Sequence, residues 1–456
     1  MNYTDNQVSV AIDDRADQGS TPYVVVVSTV AALGGLLFGF DIGVIAGAIP
    51  FITEHFGLNA HQEGFAVSNI ILGCVIGSGL SGHLSDRFGR KKVLLVAALF
   101  FTVSACLSAF PRTFAELIIA RFIGGIAIGA SMISALYIAE IAPARIRGFL
   151  VSLNQFAIVI GILMTYIINL FLVNIGENNW RWMFASEMIP ALLFFIGLFF
   201  VPESPRWLAK QGAIDRARAI LARIGGILHA RDELREIEQS LEEEEGTFRE
   251  LFQPGLRTAL FIGVVISIFA QIVGIGSVIY YAPMIFMMAG FETASSALFA
   301  TVLVGIVNFL ATIVSLVAID RLGRKPLLYI GLVGMCLSMT VTGMFFHSDF
   351  LGGKIVIISI LTFVWFYAMS LGPVAWVIVA EIFPTKVRGR AMAIAMMVLW
   401  ISDFSVSQTF PWLMETIEAK TFFIYAAISV FGFFFVLFKV KETKGKTLEE
   451  IEKMWK

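Results

Sequence analysis

Twelve stretches of this chain, each about twenty residues long or longer, are almost wholly apolar, and the hydrocarbon core of a bilayer takes about 20 helical residues to cross. They run approximately over 23–49, 64–84, 92–110, 114–138, 149–173, 183–201, 257–288, 296–318, 326–346, 354–380, 390–413 and 421–438. Lipid offers no partners to backbone N–H and C=O groups, so each stretch must close its own hydrogen bonds as a helix. The fold class that follows is an all-α membrane protein with twelve transmembrane helices. Composition agrees: 58% of residues are hydrophobic and 15% charged, where a soluble domain carries nearer a quarter charged. A net charge of −1 argues against nucleic acid as a partner. Cys74, Cys106 and Cys336 all sit inside apolar stretches. They read as buried free thiols, with no metal-ligand spacing and no cofactor implied. The polar segment before Thr21 lacks the basic start and short apolar core of a cleaved signal peptide, so the first stretch is expected to remain as a helix.

Two charged motifs occur twice, offset by about half the chain. Asp86-Arg87-Phe88-Gly89-Arg90-Lys91 returns as Asp320-Arg321-Leu322-Gly323-Arg324-Lys325. Glu140-Ile141-Ala142-Pro143, closing with Arg147-Gly148, returns as Glu381-Ile382-Phe383-Pro384, closing with Arg388-Gly389. An internal repeat of this length is a repeat of architecture, and a duplicated membrane bundle is the organisation of a secondary transporter. The predicted units are a tail over 1–22, six helices over 23–201, a linker over 202–256, six helices over 257–438 and a tail over 439–456. In the linker, the patterns Ala213-to-Ile224 and Asp232-to-Glu245 predict short amphipathic helices, and the acidic run Glu242 to Glu245 predicts a solvated face. One set of short loops holds Arg87, Arg90, Lys91, Lys92, Arg145, Arg147, Arg321, Arg324, Lys325, Lys386, Arg388 and Arg390. The opposite set holds Arg112, Arg181, Lys354 and Lys420. The cationic excess places the first set, and both termini, in the cytoplasm of a multi-pass protein of the cell membrane.

The repeated motifs supply carboxylates and guanidinium groups at helix ends, where they pair in a charge-assisted way. The expected conformational latch comprises Asp86, Arg90, Glu140, Arg147, Glu203, Asp320, Arg324, Glu381, Arg388 and Glu442. Its expected pairs are Glu140 with Arg147, Glu381 with Arg388 and Glu203 with Arg206. Several such pairs together bias a two-state equilibrium even where each one is weak.

With these motifs stand Pro202-Glu203-Ser204-Pro205-Arg206-Trp207 after the sixth stretch and Glu442-Thr443-Lys444-Gly445-Lys446-Thr447-Leu448-Glu449 after the twelfth. In this combination the chain resembles the sugar porter family of the major facilitator superfamily, over nearly everything except its first twenty residues. The resemblance implies the major facilitator fold, two six-helix halves joined by a cytoplasmic helical linker, and transport of a sugar.

Ionisable groups at membrane depth are costly and mark function. Asp41 lies in the first stretch, Arg121 in the fourth, Glu187 in the sixth and Asp403 in the eleventh. Asp41 and Arg121, of opposite charge, are expected to pair. A pair that parts as access alternates is a proton switch, because burial drives a lone carboxylate to take up a proton. Asp41, Arg121 and Glu187 resemble the pattern of bacterial xylose–proton symporters, which implies proton coupling. Asp403 stands where the family has Asn, and the sequence assigns it no role.

Sugars are recognised by amides toward hydroxyls and by rings toward the apolar face. Gln155, Gln271, Asn308, Trp376 and Trp400 have that chemistry inside apolar stretches, and the resemblance places each on a sugar-binding position. Phe38, Tyr280, Tyr281 and Gly372 are weaker additions. Three positions depart from the family: Ala270 and Leu399 stand where it carries an amide, and Gly276 where it carries Asn. Missing amides are expected to leave room for a differently arranged sugar, a polyol or a bulkier ligand. The reading that results is proton-coupled import of a monosaccharide or related polyol by alternating access, with no covalent chemistry. A facilitative uniporter, a non-transporting sugar sensor and an exporter of a non-sugar compound remain alternatives.

Overall fold

The structure, a computed structural model, describes residues 20–242, 248–253, 256–347, 354–446, 450–451 and 454. Twelve helices among them are long and apolar enough to cross a membrane. They are, as spans 1 to 12: Thr21–Phe56, Ala60–Phe88, Arg90–Ala109, Phe114–Ile141, Ala144–Leu172, Asn179–Phe200, Leu256–Met288, Ala294–Leu322, Arg324–His347, Lys354–Glu381, Lys386–Ile417 and Lys420–Lys439. Several extend beyond the apolar stretches because polar caps take over where lipid ends. Span 1 is capped by the Ser20 hydroxyl, which accepts from the Tyr23 N–H, and stops at Gly57 in the left-handed conformation. Span 2 begins with a reciprocal capping box of Asn59 and Gln62.

Spans 1 and 5, 2 and 4, and 3 and 4 pack on one another in the first half of the chain. In the second half spans 9 and 12, 9 and 10, 8 and 10, and 7 and 11 do so. The two halves meet along spans 2 and 11, 5 and 8, and 1 and 7. Small residues set the closest approaches. A side chain at Gly39 of span 1 would run into the Ile158 carbonyl of span 5, and one at Gly161 into the Leu36 carbonyl opposite. Bare glycines let two backbones touch, which is how helices associate where no hydrophobic force acts between them.

Spans 7 and 10 are broken. Span 7 stops at Ile272 and resumes at Ile275 through Gly274, at φ 96°. Span 10 stops at Met369 and resumes at Leu371, with Ser370 at φ −124° and ψ −90° between. Broken backbone at membrane depth is tolerated where it is buried in protein or lines a cavity. The linker forms helices Pro205–Lys210 and Ile214–Glu242, the second kinked at Gly226. Leu208, Ala217, Leu221, Leu234 and Ile237 give it a small core of its own. The acidic run lies outside the described residues beyond Glu242, as do Thr447, Leu448 and Glu449 of the tail motif.

The face bearing the repeated loops is termed here the motif face, and the opposite one the far face. Four hydrogen bonds between the halves sit toward the far face. Ser68 donates to the Gln408 side chain (2.8 Å), Gln408 Nε2 to the His61 carbonyl (3.0 Å), Tyr166 to the Ile279 carbonyl (2.7 Å) and Ser295 to Asn174 (3.1 Å). These bonds tie the two halves together toward the far face.

Forcing a branched side chain between spans 1 and 5 is expected to cost about 1–3 kcal/mol, the usual penalty of overpacking. Gly39→Val should lower the melting temperature in detergent by several degrees, whereas Gly82→Val, with open space around its Cβ, should not. Equal melting of the two variants would show that the contact is not tight.

Candidate functional site

Asp41 and Arg121 meet in the interior of the first half. Arg121 Nη1 donates to Asp41 Oδ1 at 3.1 Å, and the two residues are 2% and 1% exposed. The guanidinium is held from two more sides: Nε donates to the Ala66 carbonyl of span 2 (2.9 Å), and the Phe184 ring of span 6 lies 5.7 Å from its centre. Nη2 has no partner among the described residues. Glu187, 2% exposed, lies within electrostatic reach of both, and its Oε1 also lacks a partner among the described residues. The site therefore holds two carboxyl groups for one guanidinium, with polar capacity left over on both sides.

A cavity of about 530 Å³ lies between the halves. Phe38, Gln155, Gln271, Tyr280, Asn308, Gly372, Trp376 and Trp400 all line it. Gln271 and Gly276 flank the break in span 7, and Gly372 follows the break in span 10, so the broken backbone opens onto this space. Its wall runs toward the motif face through Ala135, Trp376 and Met392. Phe38 and Trp400 form an edge-to-face pair, with centroids 5.6 Å apart. A void of about 10 Å³, the size of one water, is bounded by Asp41, Cys74, Phe38, Tyr280 and Trp400. Phe38, Ile42, Tyr280 and Trp400 line both spaces, so one layer of side chains stands between the cavity and the buried acid.

Tyr281 lies outside the wall: it is fully buried, and its hydroxyl donates to the Ser407 carbonyl (2.8 Å). Tyr281 sits at a kink, φ −115° and ψ 15°, and its side chain turns toward span 11 and packs on the Phe410 ring. Ala270 likewise packs between helices and does not reach the cavity, whereas Gly276 and Leu399 do. The room expected at Gly276 is already occupied. A Cβ there would stand 2.7 Å from Asp403 Oδ1. Asp403 also lines the cavity, along with Asn154, Ser131, Thr312, Tyr367 and Met396, which the sequence reading did not select. Asn154 carried a usable signal, since it is an amide inside an apolar span beside Gln155. Ser131, Thr312 and Met396 carried none, because such residues are common in packed spans.

At the motif face the same construction appears in each half. Gly89 and Gly323, at φ 99° and 93°, turn the chain from span 2 into span 3 and from span 8 into span 9. A Cβ at either would strike a carboxylate, that of Glu203 or of Glu442. Glu203 accepts from the N–H groups of Arg90 (2.9 Å) and Lys91 (3.1 Å), and Glu442 from those of Arg324 (3.1 Å) and Lys325 (2.8 Å). Each carboxylate thereby caps a helix N-terminus at the positive end of its dipole. Burial raises the Glu442 carboxyl, but bonds from the backbone N–H groups of Lys444, Lys325, Arg324 and Thr443 outweigh it and hold the group below its usual range.

The arginines complete the latches. Arg90 reaches Glu140 (2.9 Å) and Asp86 (2.9 Å), and Arg324 reaches Glu381 (2.8 Å) and Asp320 (3.5 Å). The pairing differs from that expected. Glu140, at the end of span 4, lies beside the start of span 3 and takes Arg90. Arg147, one turn into span 5, points away to Glu233 of the linker (3.1 Å) and donates Nε to the Ala142 carbonyl. Arg388 repeats that last bond, donating Nε to the Phe383 carbonyl (3.2 Å), while Glu381 takes Arg324 and Thr443. The arginine–acid pairs Arg90–Glu140 and Arg324–Glu381 each join span ends of one half.

Twelve spans in two packed sets, tied together toward one face and holding between them an apolar, aromatic-lined cavity with a few amides beside a buried ion pair, define a multi-pass membrane carrier. The model of the family described as "Sugar (and other) transporter" matches residues 27–455, and the chain belongs to that family. It is 44% identical over 445 residues to the arabinose–proton symporter of Bacillus subtilis, covering 96% of each chain. It is 41% identical over 478 aligned residues to the D-xylose–proton symporter of Escherichia coli, covering 96% of this chain and 97% of the other. The partially occluded, inward-open structure of the xylose transporter XylE from E. coli superposes with a TM-score of 0.84 at 39% identity, over 94% of this chain and all of that one.

Removing one member of a buried pair strands the other, at a cost of about 3–5 kcal/mol. Arg121→Met is therefore expected to destabilise the protein strongly, and adding Asp41→Asn to restore much of the loss. Thermal unfolding in detergent checks this. A double variant no more stable than the single one would show that the two charges are not energetically linked.

Proposed function

We propose that this chain imports a monosaccharide together with a proton by alternating access, with the motif face and both termini cytoplasmic. The observation that carries the proposal is the Asp41–Arg121 pair, fully buried yet one layer of side chains from a cavity of sugar size. Asp41 is the proton carrier, Arg121 the charge that keeps it ionised, and Glu187 the second acid that competes for that charge. Gln155, Gln271 and Asn308 bond substrate hydroxyls, while Phe38, Tyr280, Trp376 and Trp400 cover its apolar face and Gly372 leaves it room. The two halves rock about the seam of spans 2 and 11, 5 and 8, and 1 and 7. The latches keep the ends of each half rigid while they do so. The relatives named as arabinose– and xylose–proton symporters support a sugar as cargo and a proton as the driving ion.

A membrane potential of about 100 mV gives about 2.3 kcal/mol per proton, which at about 1.36 kcal/mol per decade sustains roughly 50-fold accumulation. Asp41→Asn is expected to abolish uphill accumulation in vesicles while sugar binding persists. Full gradient-driven accumulation by that variant would end the proton-carrier assignment.

Gln155→Ala and Gln271→Ala each leave a substrate hydroxyl unpaired in a closed site, which costs about 1–3 kcal/mol. The dissociation constant for the transported sugar, measured by calorimetry, should rise accordingly. Unchanged affinity in both variants would remove these amides from the site.

A further inference from the structure

Asp403 is a carboxylate in the cavity wall, 5% exposed, with no cation bonded to it among the described residues. Its two oxygens receive only weak support. Ser407 Oγ approaches Oδ1 at 3.4 Å and Tyr280 OH approaches Oδ2 at 3.5 Å, both at the outer limit of hydrogen bonding. A carboxylate can accept about four such bonds, so most of its capacity is unused. Across from it stands Gly276, and any side chain there would collide with Oδ1. The glycine and the acid therefore form one unit, in which the missing side chain makes space for the carboxylate and leaves its face toward the cavity uncovered.

We propose that Asp403 determines substrate specificity by accepting hydrogen bonds from adjacent hydroxyls of the bound sugar, the role being confined to ligands that donate at both oxygens. The inference rests on the sugar-transport reading above. Whether ionised or protonated, a carboxyl group with no cation beside it meets hydroxyls through two oxygens, a pattern distinct from an amide's single oxygen and NH2 group. The site consequently discriminates against any sugar lacking one of the hydroxyls that face Asp403. Rejection of an analogue that lacks a bonded hydroxyl is strong when the group left behind is buried and charged.

The test pairs a protein variant with a ligand variant, which isolates their coupling. Binding of arabinose, xylose, galactose and glucose, and of the monodeoxy analogues of whichever binds tightest, is measured by calorimetry on the full chain and on Asp403→Asn. In the unmodified chain one or two deoxy positions should weaken binding about ten- to a hundredfold. In Asp403→Asn that penalty should fall toward the level of the remaining positions, while binding of the parent sugar weakens. Asp403→Ser, judged by the same profile, covers the case in which the asparagine variant does not fold. A uniform loss across all analogues would mean that Asp403 only supports the fold, and an unchanged profile that it faces no hydroxyl; either overturns the inference. If none of the four sugars binds the unmodified chain, the sugar reading itself fails and this inference with it. That result is distinct from sugar binding that is indifferent to residue 403.

Discussion

A charged carboxylate and a charged guanidinium are each costly alone in a membrane interior, and the first half of the bundle is arranged around that constraint. Asp41 on span 1 is tolerable only because Arg121 on span 4 bonds it. Arg121 in turn needs the Ala66 carbonyl on span 2 and the Phe184 ring on span 6. Four spans are thus tied to one charge. The tie is incomplete, since Arg121 Nη2 and Glu187 Oε1 are left over. A buried pair of this kind adds little to stability beyond an apolar replacement.

The cavity depends on the same economy of polar groups. Where spans 7 and 10 break, their freed backbone groups lie beside the space that the ligand would fill. Gly274, packed on the Tyr425 ring, and Ser370, whose hydroxyl donates to the Phe366 carbonyl (2.6 Å), stabilise these breaks from behind. Amides then face the cavity from spans 5, 7 and 8, while Phe38 and Trp400 close the side toward Asp41. One layer of side chains, contributed by spans 1, 7 and 11, stands between the two sites.

The motif face is rigid by a different device. Each latch concentrates a carboxylate on the N-terminus of a span, an arginine on two acids and a glycine that gives way to the carboxylate. Arg90 with Asp86 and Glu140, and Arg324 with Asp320 and Glu381, tie span ends within one half, while Glu203 of the linker and Glu442 of the tail cap spans 3 and 9. The linker bridges the two halves, with Glu233 bonded to Arg147 of the first half and Glu250 to Lys386 of the second.

The sequence by itself determined the twelve spans, because length and apolarity are properties of each stretch alone and lipid admits no other backbone form. It also marked the buried charges Asp41, Arg121, Glu187 and Asp403, since any ionisable residue at that depth stands out without reference to its neighbours. The amides Gln155, Gln271 and Asn308 were visible as polar groups inside apolar stretches, and the resemblance to sugar porters singled them out as sugar contacts. Which groups meet was decided only by tertiary structure. The pairing of Glu140 with Arg90, and of Arg147 with the linker, follows from which helix ends lie side by side. The burial of Tyr281 and Ala270 away from the cavity follows from how spans 7 and 11 are rotated. Least legible of all was the relation between Gly276 and Asp403. A glycine in one span and an acid in another, more than a hundred residues apart, carry no mark of belonging together until packing sets the carboxylate into the space that the absent side chain leaves.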